Sequence, residues 1–158
     1  MKNIRIRHFR LPDLLRLKGW INQSKKSFSK TFFEEIIYAI VNYFKFKAKR
    51  GCILTATING RPVGMINLHM PIWKKQGGQT MFDIVVSEES RGKGIGTLLI
   101  VKAEQFAKET LGAKLMYLDV FEDNPAQNLY QRLGYTKGGF IPDYLKDGRG
   151  KVVMYKHL

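Results

Sequence analysis

Residues 3–9 alternate with period two, Ile4, Ile6 and His8 against Arg5, Arg7 and Phe9, which predicts a first strand. Pro12 and Asp13 open a helical segment carrying Leu14, Leu15, Leu17, Lys18, Trp20 and Ile21, and the polar run Asn22 to Lys26 ends it. A second helix is predicted from Thr31, with Glu34 three residues on as in a capping box and Phe33, Ile36, Ile37, Ile40, Val41 and Phe44 at helical spacing. Its tail from Lys45 to Arg50 is cationic and suits a helix C-terminus. Strand-like runs follow over 51–58 and 63–70, joined by Asn59-Gly60, the strongest short hairpin signal in the chain. Residues 71–78 read as a loop before a central strand near Met81 to Val86, and from Gly94 the positions Ile95, Leu98, Leu99, Ala103, Phe106 and Ala107 recur at helical spacing up to Gly112. Residues 114–121 form the next predicted strand. Asn124 is placed to cap a short helix with Pro125 at its first position and Gly134 just past its end. Residues 135–140 and 151–155 complete the sheet around the loop 141–150. The order β-α-α-β-β-β-α-β-α-β-β predicts a mixed central sheet with helices on its faces, an α/β (α+β) class. With no repeat, low-complexity tract or boundary in the sequence, 1–158 is expected to be one domain.

The chemistry concentrates between Met81 and Thr97, where an apolar β-branched run passes through Arg91-Gly92-Lys93-Gly94-Ile95-Gly96 straight into a helix. The first backbone amides of a helix have no intrahelical partner and its dipole is positive there, so glycines at this place let the backbone approach a bulky anion. Arg91 and Lys93 add charge, and a phosphate or pyrophosphate is the ligand such a site suits. The loop lacks Gly-x-x-x-x-Gly-Lys-Ser/Thr and with it the means to hold a triphosphate and magnesium. The dinucleotide fingerprint fails by one residue, because Thr97 stands where its third glycine belongs. Asp119 is available as a ribose-binding acid for that reading but lies 27 positions after Gly92 rather than about 20.

What the loop does match is Arg-x-x-Gly-x-Gly after a valine-rich strand, and here the chain resembles the GNAT superfamily of acetyl-CoA-dependent N-acetyltransferases. The resemblance continues through Asn124-Pro-Ala-Gln-Asn-Leu-Tyr130-Gln-Arg-Leu-Gly134-Tyr135. It is strong over 81–155 and weaker over the first fifty residues. It implies that Val85 and Val86 offer backbone groups to the pantetheine arm of acetyl-CoA, and that Arg91, Gly92, Lys93, Gly94, Ile95, Gly96 and Thr97 hold the pyrophosphate. It also implies that Asn124 makes a polar contact to the pantetheine and that Tyr130 protonates the leaving thiolate, for which a phenol of pKa about 10 is suited. The acceptor amine arrives as ammonium and must lose a proton first. Family members often use a carboxylate on the central strand or a water relay, and Asp83 is the one acid inside that strand. A lone aspartate in an apolar strand needs a partner or a function, because burying it unpaired is expensive. Glu34, Glu35 and Tyr144 are further acceptor-side candidates.

The formal charge is +14, with 13 Lys/Arg against 3 Asp/Glu in residues 1–50 and 14 against 10 in the rest. A basic surface favours polyanions, CoA among them, and argues mildly against a polycationic acceptor. The charges are scattered, and the chain shows no RNA-binding aromatic motif, zinc finger or basic heptad segment, so nucleic acid is not a required partner. The alternative function is a non-catalytic CoA-sensing module or a basic nucleic-acid- or ribosome-binding module on a GNAT-like fold. The expected partner is an amine-bearing substrate, small molecule or protein, and a homodimer is compatible with the sequence. The single Cys52 reads as a small buried residue of a strand, and His8, His69 and His157 show no metal-ligand spacing and read as solvated or structural, so no metal is expected. The N-terminus lacks a signal-peptide core and no apolar run approaches the roughly 18 residues of a membrane span, which predicts a cytoplasmic protein.

Overall fold

The structure, a computed structural model, describes residues 3–13, 15, 51–69 and 78–158. The two helices predicted between Pro12 and Arg50, the candidates Glu34 and Glu35, and the loop 71–77 lie outside the described residues, apart from a 3-10 turn at Leu11–Asp13 and Leu15.

Seven strands form one sheet: β1 (Ile4–His8), β2 (Gly51–Ile58), β3 (Arg61–His69), β4 (Gln79–Val86), β5 (Leu115–Phe121), β6 (Thr136–Ile141) and β7 (Lys151–His157), in the spatial order β1-β2-β3-β4-β5-β7-β6. Helix α1 (Ile95–Glu109) connects β4 to β5, and the short α2 (Gln127–Arg132) follows β5. Asn59 and Gly60 both have positive φ, 50° and 78°, as the tight turn between β2 and β3 demands, and Ile58 pairs directly with Arg61. Gly112 ends the α1 turn in the left-handed region, φ 68°.

Every strand pairing is antiparallel except β4 with β5, which are joined through α1 because a parallel pair needs a crossover. That parallel ladder is short. It pairs Gln79, Thr80 and Met81 with Leu115, Met116 and Tyr117, while β4 runs on to Val86 and β5 to Phe121. The two central strands therefore part at their C-terminal ends.

Period-two alternation divides the sheet residues between its faces. Leu54, Ala56, Ile66, Leu68, Phe82, Met116, Leu118, Val120, Val152 and Met154 join one buried cluster with Ile95, Leu99, Ile100, Ala103 and Ala107 of α1. At about 1.5–3 kcal/mol for each large side chain fully buried, this face fixes α1, and with it the glycine loop at the helix start. Asn67, His69, Asp83 and Asp119 alternate onto the other face.

Candidate active site

The loop between β4 and α1 is held from below. Ser87 donates its amide to Val63 O at 2.9 Å, Ser90 to Ser87 O at 2.9 Å and Arg91 to Glu88 O at 3.2 Å, while the Arg91 Nε donates to Val86 O at 3.4 Å. The Lys93 ammonium donates to Glu89 O. Arg91, Gly92, Lys93 and Gly94 are exposed. Gly94 flanks the helix in the left-handed region, φ 75°, where a side chain is strained. Gly96 lies close to α2, where an added Cβ would approach Leu129 Cδ2 to 3.1 Å and press that side chain aside. The Ile95 side chain is in the core, 1% exposed, so only its backbone is available to an anion. The leading amides of α1, Ile95, Gly96 and Thr97 among them, start a fifteen-residue helix and point toward this exposed loop.

A cleft of about 190 Å³ occupies the opening between β4 and β5. Met81, Phe82, Asp83 and Ile84 form one wall, Leu118, Asp119, Val120 and Phe121 the other, and Asn124, Tyr130 and Lys151 complete it. It is smaller than the roughly 300–1,000 Å³ of a pocket for a drug-sized ligand, so it suits a narrow arm rather than a nucleotide. Val85 and Val86, both half-buried, continue the β4 wall toward the loop.

Tyr130 comes to this cleft because α2 is tied to the end of β5. Asn124 donates its amide to Phe121 O at 3.0 Å, and Gln127 Nε2 donates to Phe121 O at 3.1 Å and to Glu122 O at 2.8 Å. The Asn124 side-chain oxygen accepts from the Ala126 amide at 2.9 Å, a local turn two residues on. The helix proper begins at Gln127, later than the predicted start at Pro125, because that turn absorbs Pro125 and Ala126. With its oxygen so engaged, the Asn124 side chain lies at the cleft wall.

The Tyr130 ring is 5% exposed and packs edge-to-face on Phe82 at 6.0 Å and on Tyr135 at 6.2 Å. Burial, and then the charge of Asp83, push its phenol up to about 12. It is a neutral proton donor at physiological pH. Tyr135 is raised further by burial and by the nearby Glu104, whose Oε2 binds the Lys156 ammonium at 2.7 Å.

Tyr130 packs on the α1 face of the sheet with Phe82, whereas Asp83 belongs to the opposite face. Both reach the same cleft because the strands have separated there. Asp83 stands across the β3–β4 ladder from Asn67, and His69 Nε2 lies 2.7 Å from Asp83 Oδ2. Asp119 of the facing wall binds the Lys151 ammonium at 2.9 Å, and that ammonium lies 4.1 Å from the centre of the half-exposed Tyr144 ring. The aspartate weighed as a ribose acid is thus the partner of a lysine at the cleft.

Sequence reasoning named Asp83, Asn124, Tyr130 and the loop but passed over Asn67, His69 and Lys151. Asn67 and His69 stand two apart in an apolar run and so share a face, the one signal for them in the sequence. His8 packs edge-to-face on Phe106 at 5.7 Å with Cys52 Sγ 3.9 Å from its Nδ1, and His157 packs on Tyr155 at 5.8 Å. Cys52 is 1% exposed and its thiol is pushed up to about 12 by burial. Among the described residues no cluster of three metal-ligating side chains occurs, and no helix is long and apolar enough to cross a membrane.

A mixed sheet parted at its central parallel pair, with an exposed glycine loop and helix start beside the opening, defines an α+β protein with a cleft at the centre of its sheet. The chain belongs to the GNAT acetyltransferase family, whose model, described as the Acetyltransferase (GNAT) family, matches residues 16–135. It is 33% identical over 106 residues to an uncharacterized N-acetyltransferase of Methanocaldococcus jannaschii, a match covering 66% of this chain and 65% of that protein. The chain therefore spans less than two thirds of that relative's length. It is 32% identical over 119 residues to an N-alpha-acetyltransferase of Sulfurisphaera tokodaii, covering 68% of this chain and 70% of that one. Among solved structures, a putative acetyltransferase from Salmonella typhimurium with its cofactor acetyl-CoA superimposes with a TM-score of 0.80 at 18% identity, over 98% of this chain and 94% of that one.

Proposed function

We propose that this protein is an N-acetyltransferase that moves the acetyl group of acetyl-CoA to a primary amine by direct attack, and that the whole chain forms one such domain. The observation that carries this reading is the cleft between β4 and β5, with Asp83 and Tyr130 on its walls and the glycine loop at the end of β4. The residues fit the cofactor. The cleft suits a pantetheine arm, Val85 and Val86 offer strand backbone along it, and the exposed loop from Arg91 to Gly94 with the helix start from Ile95 to Thr97 offers two cations and backbone amides to a pyrophosphate. When bound, acetyl-CoA supplies an activated acetyl group and a thiol leaving group.

Asp83 removes a proton from the incoming ammonium so that the nitrogen lone pair is available. Tyr130, kept protonated by its burial, gives its proton to the departing sulfur, and the phenol is restored by the proton that the nitrogen sheds as the amide forms. Placing the two groups on opposite sides of the sheet lets one work on the nucleophile and the other on the leaving group without neutralising each other. A protein N-terminus is the acceptor favoured by the Sulfurisphaera relative's name, and a small amine is the alternative.

The test is calorimetric titration with acetyl-CoA and CoA of the wild type and of Gly94→Glu, followed by acetyl transfer to three probes: a serine-initiated tetrapeptide, Nα-blocked lysine and spermidine. Micromolar binding lost in the variant, with transfer to one probe, is the expected result. A folded wild type that binds neither ligand refutes the reading.

A further inference from the structure

The β3 strand contributes a side-chain array to this site that the family match does not assign. Asn67 faces Asp83 across the ladder and is buried, 7% exposed, and His69 lies two residues further along the same face. His69 Nε2 is 2.7 Å from Asp83 Oδ2, and Asn67 Nδ2 is 2.6 Å from the same ring nitrogen. The side chains of His69 and Asp83 are 19% and 32% exposed. Asp83 lines the cleft, whereas His69 stands behind it on the neighbouring strand.

An ionised carboxylate only accepts hydrogen bonds, so a 2.7 Å contact with it places the imidazole proton on Nε2. The Asn67 amide nitrogen lies 2.6 Å from the same ring nitrogen, so the two side chains pack edge to edge behind Asp83. The Asp83 carboxylate is one-third exposed and lines the cleft, where an amine can approach it. A hydrogen bond at Oδ2 opposes rotation of the Asp83 carboxylate about its last torsion, which is broad for an aspartate. A general base has to lie within hydrogen-bond reach of the proton it removes, so that rotation matters.

We propose that His69 is a positioning residue for the acceptor half of the site: its Nε2–H fixes the orientation of the Asp83 carboxylate. The inference rests on the transferase reading above. In the step it serves, one N–H bond of the ammonium breaks, its proton binds Asp83, the electron pair stays on nitrogen, and the His69 bond to Oδ2 is kept throughout.

Four variants test it, with CoA calorimetry and circular dichroism as controls and the most active of the three probe amines as acceptor. His69→Leu removes the donor and is expected to lower kcat by about 10–100-fold, the cost of a misplaced catalytic group, with KM for acetyl-CoA and CoA affinity unchanged. His69→Gln keeps an N–H at a similar reach and is expected to recover most of the loss. In an Asp83→Asn background, His69→Leu is expected to change kcat by less than about twofold, because a residue acting through another adds nothing once that other is gone. In the free protein, the imidazole ¹⁵N spectrum is expected to show a proton on Nε2 of His69 that exchanges faster in Asp83→Asn. Wild-type kcat in His69→Leu, or losses that multiply in the double variant, would overturn the role of His69 and leave the transferase reading standing. A wild type that binds CoA and acetylates none of the probes sinks the transferase reading, and this inference falls with it.

Discussion

Replacing Tyr130 with phenylalanine separates the chemistry of this side chain from its packing. The ring is 5% exposed and its edge-to-face contacts with Phe82 and Tyr135, at 6.0 and 6.2 Å, survive the substitution because only the hydroxyl is removed. Loss of one hydroxyl changes stability by about 1 kcal/mol, a shift in Tm of roughly 2–4 °C for a chain of this size. The kinetic effect is expected to be far larger. A positioned general acid contributes about 10²–10⁴-fold, or roughly 3–5 kcal/mol of barrier, so kcat falls by that factor while CoA affinity holds. The sign of the pH effect follows from the raised phenol. An ordinary tyrosine loses its proton near about pH 10. Burial and the Asp83 charge move Tyr130 to about 12, so the donor is present below that value and wild-type kcat shows no alkaline loss from this group between about pH 8 and 10. Release of the CoA thiol, followed with a thiol reagent over that range in both proteins, measures it. A variant with wild-type kcat would refute the assignment, and a wild-type alkaline limb near pH 9 that vanishes in Tyr130→Phe would refute the raised phenol.

Gly96→Val drives a side chain against Leu129 Cδ2, which a Cβ alone would approach to 3.1 Å. The overpacking is expected to cost about 1–3 kcal/mol and to weaken CoA binding by shifting α2 from α1, read from the urea midpoint and by calorimetry; an unchanged midpoint would mean the two helices are not in contact as described. Asp13, 3% exposed, would be raised by burial, but hydrogen bonds from Arg7 at 2.7 and 2.8 Å and from the Arg10 amide at 2.9 Å outweigh that and hold it below the usual carboxylate range. A lowered folded-state pKa stabilises above the unfolded value and is lost as pH falls through the folded one. Asp13→Asn is therefore expected to cost about 2–3 kcal/mol at pH 7, with the gap to wild type closing below about pH 4; a gap independent of pH would show that the ion pair is not its source.

The parts of the molecule legible in the sequence are those fixed by neighbours along the chain. The turn at Asn59-Gly60 needs two left-handed residues, and the sequence supplies two that tolerate that conformation. The glycine loop could be read as a helix start because the apolar spacing of Ile95, Leu99, Ala103 and Ala107 begins just after it. Tyr130 was reached through the motif around Asn124 and Gly134, while the start of its helix was misplaced because a side-chain turn at Asn124 competes with helical bonding there.

The site itself needed the tertiary structure. Asp83 was visible as an acid in an apolar strand, but its partner was not, since His69 reaches it through a register that depends on how β3 and β4 are aligned. A slip of one residue would turn Asp83 to the α1 face and remove the pair. Asp119 and Lys151 are 32 residues apart and meet because β5 lies beside β7. Nor does any periodicity announce that β4 and β5 pair at only three positions, since both strands keep an apolar pattern past the point where they part. Local preference and alternation, properties of a few adjacent residues, determined which segments are strands and helices and where an anion would be met. The opening between the strands and the groups facing across it were decided by long-range alignment, the sum of packing over the whole sheet, which no short window of sequence contains.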